Sequence, residues 1–345
     1  MKILYVGSLS DQGNSAGRCW ALEALGHRVF ALEAFPRGAL SRRTNIVNRL
    51  SWLAGRPKDV GGANGKLLAL ARSEQPDVVW VDKGVMIRRD TLQAVRRSVQ
   101  NVALAHFNPD DPFGPGWRRG WRTFLEAVPE YDCHFVSRAA NVTEYEQRGA
   151  RRVVHDLPGW GFDSRIHRPY DLDAQTRAQF GCDVGFIGAF EVPRASMLLA
   201  LAQAGIGARI WGPWPRKFWH ARLHIETQPL FGEAYGKAIS SFKIALCFLR
   251  KYNRDGHTVR STEIPACGTL MLAERTEDHL ALFEEGKEAA FFSSTEELVD
   301  KVRYYLDHDA DRTRLAAAGR ERCLQSGYSN EALMKKRIAT LARPV

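Results

Sequence analysis

The chain has 345 residues, 45% of them hydrophobic and 26% charged, with 29 Gly and 15 Pro. This balance supplies apolar material for two cores of about 150 residues each and excludes a disordered or low-complexity chain. A formal net charge of +10 favours phosphates, nucleic acid or anionic lipid as partners without choosing among them, and no run approaching about 18 apolar residues is present to cross a membrane.

The first half alternates short apolar runs with amphipathic stretches. The opening MKILYVGSL reads as a first β-strand (2–7) rather than a signal peptide, because SDQGN follows directly. Further strands are expected at 27–32, 77–83, 101–107, 133–137 and 152–157. Helices at 15–25 and 139–147 are each followed by glycine, Gly26 and Gly149, as a C-terminal stop requires. The segment 157–175 is rich in Gly, Pro and charge and reads as a linker. The pattern then restarts with a strand at 183–190, a helix at 194–203, strands at 208–212, 243–249, 269–274 and 289–292, and a last helix near 329–341. Continuous apolar strands alternating with helices predict an α/β fold, two facing doubly wound, Rossmann-like domains with parallel sheets and a cleft between them. Such sheets bind ligands in the loops after their strands.

Cys19, Cys133, Cys182, Cys247, Cys267 and Cys323 are scattered and form no C-x-x-C pair, which predicts a reduced, cytoplasmic protein. The cations, among them Arg42, Arg43, Arg88, Arg89, Arg118, Arg119, Arg216 and Lys217, are spread along the chain and serve equally well as a solubilising surface.

The stretch from Asn253 to Gly268, followed by the strand TLMLAE, carries most of the chemistry. Asp255-Gly256-His257-Thr258 reads as a turn feeding a helix: Gly256 permits close backbone approach and Thr258 caps. Arg260 and Glu263, three apart, share a helical face where a guanidinium can clamp phosphate oxygens and a carboxylate can accept from ribose hydroxyls. The same residues also suit a capped helix with a surface Arg–Glu pair. Pro265 should kink this helix or mark its last turn, Gly268 closes it, and Glu274 ends the next strand at the ligand edge.

DGHTVRSTEIPACGTLMLAERTEDHLALFEEGKEAAFF resembles the signature of spore-maturation-protein (CgeB-type) glycosyltransferases, within the group 1, family-4-like GT-B superfamily. That pattern has two acidic residues separated by seven others, the second opening a Glu-x-x-Ala-Cys-Gly run. Here they are Asp255, in place of the usual Glu, and Glu263. The resemblance implies that Glu263 holds the nucleotide ribose and Asp255 lies by the donor sugar. VGFIGAFEVPRASMLLAL resembles the first strand and loop of the nucleotide domain, so Gly188 would let the backbone approach the diphosphate and Arg194 would neutralise the leaving group. The lysine usual beyond that arginine is missing, leaving Arg260 or Lys251 as substitutes. GWGFDSRIHRP resembles the interdomain crossover. This implies an acceptor-binding domain over 1–165, a nucleotide-sugar domain over 166–328 and a helix over 329–345 packing back on the first.

In the first half, GSLSDQGNSAG (7–17) forms a loop after the first strand but lacks G-x-G-x-x-G, which argues against a nicotinamide cofactor. His106 and the HFNPDDPFG turn follow the fourth strand and are expected to face the cleft. Asp110 and Asp111 either orient an acceptor hydroxyl or form an Asx-turn with Pro112. These aspartates lie outside the expected nucleotide domain and have no His partner, so they do not predict a metal. WGPWPRKFWH (211–220) carries Trp211, Trp214, Trp219, Arg216 and Lys217, suited to stacking on a base or sugar, or to a membrane surface or single strand, although Trp211 also fits core packing.

The expected activity is transfer of a sugar from a nucleoside-diphosphate donor to a small-molecule, glycan or lipid-linked acceptor, with no cofactor. The resemblance implies retention at the anomeric carbon without a metal. Arg194, Arg260 and the amides of Gly256, His257 and Thr258 would stabilise the departing diphosphate. If the reaction inverts instead, Asp110, Asp111 or His106 is the candidate base. The rival enzyme reading is a nucleotide-sugar epimerase on the same fold. The rival binding reading is a basic protein on nucleic acid, the less favoured partner, or on a lipid surface through a peripheral contact.

Overall fold

The computed structural model describes residues 1–10, 13–34, 50–115 and 120–341. Arg42, Arg43, Arg118 and Arg119, residues 11–12 of the first loop and residues 342–345 lie outside the described residues.

The chain divides into two compact units. The first comprises Met1–Trp160, Arg250–Asp255 and Asn330–Val345; the second comprises Gly161–Leu249 and Gly256–Ser329. The chain therefore changes unit at 160/161, five residues before the expected boundary, and again on either side of 250–255. That short segment, read from sequence as part of the nucleotide domain, packs with the first unit.

The first unit runs β1 (Lys2–Gly7), α1 (Asn14–Ala24), β2 (Arg28–Glu33), α2 (Ala63–Glu74), β3 (Val78–Asp82), α3 (Arg89–Ser98), β4 (Ala103–Asn108), α4 (Arg122–Ala127), β5 (Cys133–Val136), α5 (Ala139–Glu146) and β6 (Val153–His155). Its strands pair in parallel in the order β2-β1-β3-β4-β5-β6. Val78 to Asp82 is buried throughout, as expected of a strand covered on both faces, where no polar alternation is tolerated. Leu4, Val6, Val79, Val81, Leu92, Leu104 and Phe124 lie in one core.

The second unit runs α6 (Ala174–Phe180), β7 (Cys182–Ile187), α7 (Val192–Gln203), β8 (Ala208–Trp211), β9 (Leu223–Glu226), α8 (Gly232–Ser240), β10 (Phe242–Cys247), α9 (Arg260–Ala266), β11 (Leu270–Glu274), α10 (Glu277–Leu282), β12 (Ala290–Phe292), α11 (Thr295–Asp307) and α12 (Asp309–Gln325). The parallel order is β12-β11-β10-β7-β8-β9. α9 ends as its sequence demands, with Pro265 in the last turn and Gly268 at a φ of +75°.

The last helix, α13 (Asn330–Leu341), belongs to the first unit and packs on α1. Its Arg337 is 1% exposed and donates to Asp156 (2.7 Å) and to Gly159 O (2.7 Å), while Lys336 reaches the other oxygen of Asp156 at 2.8 Å.

In each sheet the strand order reverses once, between β1 and β3 in the first unit and between β7 and β10 in the second. At such a reversal the loops after the two strands leave toward opposite faces and open a crevice, where α/β sheets hold ligands.

Candidate functional site

The second unit gathers most of the predicted donor residues at its crevice. Gly188 directly follows β7. Its N–H donates to Trp211 O (2.8 Å) and its carbonyl accepts the Trp214 indole N–H (2.8 Å). A Cβ at Gly188 would stand 2.7 Å from the Phe186 ring and 3.2 Å from Arg260 Nη2, so glycine is what lets the strand end and the guanidinium lie side by side. Arg260, entering from the loop after β10, donates from Nε to Ile187 O at 2.6 Å. Its guanidinium and that of Arg194 lie 5.9 and 5.8 Å from the centroid of Phe186.

The two arginines differ in access. Arg260 is half-buried. Arg194 is 2% exposed, bonds Ala189 O (3.2 Å) and Phe248 O (3.4 Å), and lies 3.5 Å from Glu191. In this geometry Arg194 braces the two strand-end loops, a more indirect place than the leaving-group contact expected of it.

Glu274 closes β11 and accepts the Leu249 N–H at 2.7 Å, tying the ends of two adjacent strands. Glu263, 4% exposed, accepts the Tyr235 O–H at 2.5 Å and faces His167 Nε2 at 3.5 Å. His167 Nδ1 accepts the Asp163 N–H (2.9 Å), which puts the ring proton on Nε2, toward Glu263. Burial and then the Glu263 charge push the Tyr235 phenol well above its ordinary value, so it stays a donor. Burial pushes His167 down against the pull of Glu263 and Asp163. Neither Tyr235 nor His167 carries a local sequence signal for this role.

Thr258 Oγ1 accepts the Arg260 N–H at 3.1 Å, but the N-cap of α9 is Val259, so Thr258 stands one position before the cap expected of it. His257 is 1% exposed and paired with Asp278 at 2.8 Å, so its side chain is structural here rather than open to a ligand. A Cβ at Gly256 would lie 2.3 Å from the Asp278 carboxylate.

The remaining predicted residues belong to the first unit. Asp255 is not grouped with Gly256 to Glu263: its side chain, 4% exposed, pairs with Arg138 and accepts from Asn253 Nδ2 at 3.0 Å. Lys251 lies in the same segment and is exposed. His106 corrects the sequence expectation outright. It lies within β4, is fully buried, stacks on Phe124 at 4.5 Å and shares an Nδ1–Nδ1 hydrogen bond of 3.1 Å with His134. Burial, then the neighbouring His134, push it well below its ordinary value, which makes it a neutral core residue. Asp111 is likewise 0% exposed. It accepts from Arg254 Nη2 (2.9 Å), Asn141 Nδ2 (3.0 Å) and the Phe113 N–H (3.0 Å), the Asx-turn alternative. Although burial works to raise it, Arg254 and Asn141 hold its carboxyl below the usual range. Asp110 is the more accessible, 20% exposed and paired with Lys83 at 2.6 Å.

A pocket of about 190 Å³ opens at the first unit's crevice, lined among others by Ser8, Asn14, Ser15, Lys83 and Trp160. Arg18 and Asp82, which also line it, form a buried ion pair (2.6 Å), and Tyr5 donates to Asp82 at 2.8 Å. Sequence reasoning marked the loop but missed Lys83, Asp82 and Trp160, whose convergence depends on the β1–β3 pairing.

The aromatic run after β8 is mostly core. Trp211 stacks on Phe242 (5.2 Å) and Trp214 is 6% exposed, which leaves Trp219, 73% exposed, beside exposed Arg216 and Lys217. Among the described residues no group of three or more His, Cys, Asp or Glu is placed to hold a metal ion, and no helix is long and apolar enough to cross a membrane.

Residues 194–339 match a family model described as glycosyl transferase-like. No curated protein matches the chain. Sucrose-phosphate synthase from Thermosynechococcus elongatus is similar in structure, with a TM-score of 0.69 at 14% identity, covering 99% of this chain and 98% of that one. The trehalose-6-phosphate synthase OtsA gives 0.67 at 13% identity, covering 100% of both. Anabaena Alr3699/HepE, solved with UDP and glucose, gives 0.63 at 13% identity, covering 99% of both. The chain thus has the GT-B fold, and its stretch from 194 to 339 is glycosyl transferase-like.

Proposed function

We propose that the protein transfers a sugar from a nucleoside-diphosphate sugar, a UDP-sugar in the first instance, to an acceptor hydroxyl, with retention and without a metal. The carrying observation is that Gly188, Arg260, Glu263 and Glu274 converge at the β7/β10 reversal, three of them within the stretch that matches the glycosyl transferase-like model. The UDP bound to a structural neighbour at 13% identity supports the choice of base as a starting point.

On this reading the bond from the sugar's anomeric carbon to the diphosphate oxygen breaks and its electron pair stays on the diphosphate. Arg260 offsets the growing charge, in a crevice where water is partly excluded and the interaction is correspondingly stronger. Glu263 accepts from the ribose, with Tyr235 and His167 holding its carboxylate. The acceptor oxygen bonds to the same carbon from the same face, and its proton passes to the leaving phosphate oxygen. That route needs no side-chain base, in keeping with the burial of His106 and Asp111. The pocket of the first unit, where Ser8, Asn14 and Ser15 stand beside Arg18, Asp82, Lys83 and Trp160, suits a polyol acceptor or the end of a glycan or lipid-linked chain. Six free cysteines support a reducing, cytoplasmic setting, and the signature around Glu263 supports a CgeB-type assignment.

A thermal-shift panel of UDP-, GDP- and dTDP-sugars tests the donor site. A ligand at about 100 times its Kd stabilises by about 2.7 kcal/mol. Product analysis with the hit then tests the chemistry. No shift with any nucleotide overturns the donor site, and bulk conversion of donor alone to an epimeric sugar nucleotide overturns transfer in favour of epimerisation.

A further inference from the structure

The turn from Gly256 to Ser261 delivers Arg260 to the crevice, and three side chains from the cap and first turn of α10 hold it. Thr276 Oγ1 donates to Gly256 O at 2.5 Å and accepts the His279 N–H at 3.1 Å, capping α10 with the same oxygen. Asp278 accepts from His257 Nδ1 at 2.8 Å. His279 Nε2 lies 2.8 Å from Ser261 Oγ.

The direction of this last bond is fixed by its neighbour. His279 Nδ1 faces the Glu274 carbonyl at 2.6 Å, and a carbonyl only accepts, so Nδ1 carries the proton and Nε2 accepts from the Ser261 hydroxyl. Ser261 Oγ in turn accepts the Thr258 N–H at 3.0 Å, and Thr258 Oγ1 accepts the Arg260 N–H at 3.1 Å. One unbroken chain of hydrogen bonds therefore runs from the end of β11 to the backbone of Arg260. The imidazole stacks on Phe291 (5.5 Å, 12°) and is fully buried. Burial pushes it down to about 4, so the ring is neutral at pH 7 and keeps its polarity.

Resting on the donor-site reading above, we infer that Thr276, Asp278 and His279 are positioning residues that fix the Gly256–Ser261 turn so that Arg260 meets the donor diphosphate. They touch no substrate. Their contribution is preorganisation: a guanidinium on a turn held at both ends need not be ordered when the ligand arrives.

The test is calorimetric titration of UDP into the whole protein. Ser261→Ala and Thr276→Val are expected to weaken UDP about five- to tenfold, as the loss of a neutral hydroxyl's hydrogen bonding allows, in protein that melts lower but still cooperatively. Thr276→Ser, which keeps the hydroxyl, should restore affinity to within about twofold. If the clamp acts through Arg260, the double variant Ser261→Ala/Arg260→Ala should bind no more weakly than Arg260→Ala alone. Wild-type affinity in folded Ser261→Ala and Thr276→Val overturns the clamp, and so do additive losses in the double variant. A wild-type protein that binds none of UDP, GDP and dTDP overturns the donor reading and the clamp together, so the two failures are separable.

Discussion

Arg260 gathers two demands in one side chain: Nε is spent on Ile187 O, and the rest of the guanidinium is left beside Gly188 over Phe186. A planar fork can meet both; an ammonium on a flexible stem cannot. Arg260→Ala should therefore lower kcat/KM for the donor by about 2–3 kcal/mol, the range for a charge-assisted hydrogen bond, and Arg260→Lys should recover little of it. Steady-state kinetics on the confirmed donor decides this, and near-wild-type activity in the lysine variant would remove the argument from geometry. Glu263 gives a second prediction. Tyr235→Phe deletes the 2.5 Å donor to a carboxylate that is 4% exposed, leaving a buried charge one partner short at a cost of about 1–3 kcal/mol. Urea unfolding at pH 7 should show it as a lower midpoint with an unchanged slope. At this scale sequence reading had mixed success. Arg260 and Glu263 stand out in the string because they share one turn of α9, whereas their partners Ile187, Tyr235 and His167 are 28 or more residues away and give no local sign. His106 misleads because it lies inside the expected strand and points into the core against Phe124 and His134, a direction that the residues around it in the string do not give.

The strands of both sheets were legible because a strand covered on both faces must be apolar along its length, and such runs stand out between glycines. Strand β9, LHIE, has no assignment in the sequence reading. It is short, half-polar and at the sheet's edge, where burial no longer dictates composition. Helix α13 was expected from its pattern; what anchors it was not. Asp156 and Arg337 are each 1% exposed and 181 residues apart in the chain, so no local signal links them. Arg337 and Lys336 hold the Asp156 carboxyl below its ordinary 3.8, against burial, which acts first and raises it. A carboxyl depressed in the folded state contributes stability that is fully present above its unfolded value and is lost as pH falls below it toward the folded value. Asp156→Asn should thus cost about 3–5 kcal/mol at pH 7, much of it the penalty of leaving Arg337 buried without its partner. The gap between wild type and variant should narrow as pH falls from about 4 toward 2. A gap independent of pH, measured by denaturant unfolding at both ends, would assign the loss to packing instead.

At the scale of the whole chain, the first unit is discontinuous. Residues 250–255 and 330–345 belong with 1–160, and each inserted piece neutralises a buried carboxylate. Arg254 donates to Asp111, which is fully buried, and Asn253 accepts the Asp111 N–H at 2.9 Å; Arg337 and Lys336 do the same service for Asp156. None of this could be read in the sequence, where 250–255 lies between a strand and the turn of the same nucleotide half and shows no sign of pairing with residues more than a hundred positions away. The consequence is a prediction about the fragment 1–160, which contains all six strands of the first sheet and would pass for a domain on inspection of the sequence. It lacks Arg254, Lys336 and Arg337. Two buried carboxylates left without their cations, Asp111 with only Asn141 and the Phe113 N–H to bond it, cost several kcal/mol each, against a total stability of about 5–15 kcal/mol for a domain. The fragment should not fold: it should show no cooperative thermal transition and rapid limited proteolysis at pH 7. Asp111→Asn together with Asp156→Asn in that fragment removes the uncompensated charges and should recover part of the protection. A sharp, two-state melt of the unmodified 1–160 fragment would mean that the two carboxylates are solvated without Arg254 and Arg337, and the account of the first unit as held together by its returning segments would fail.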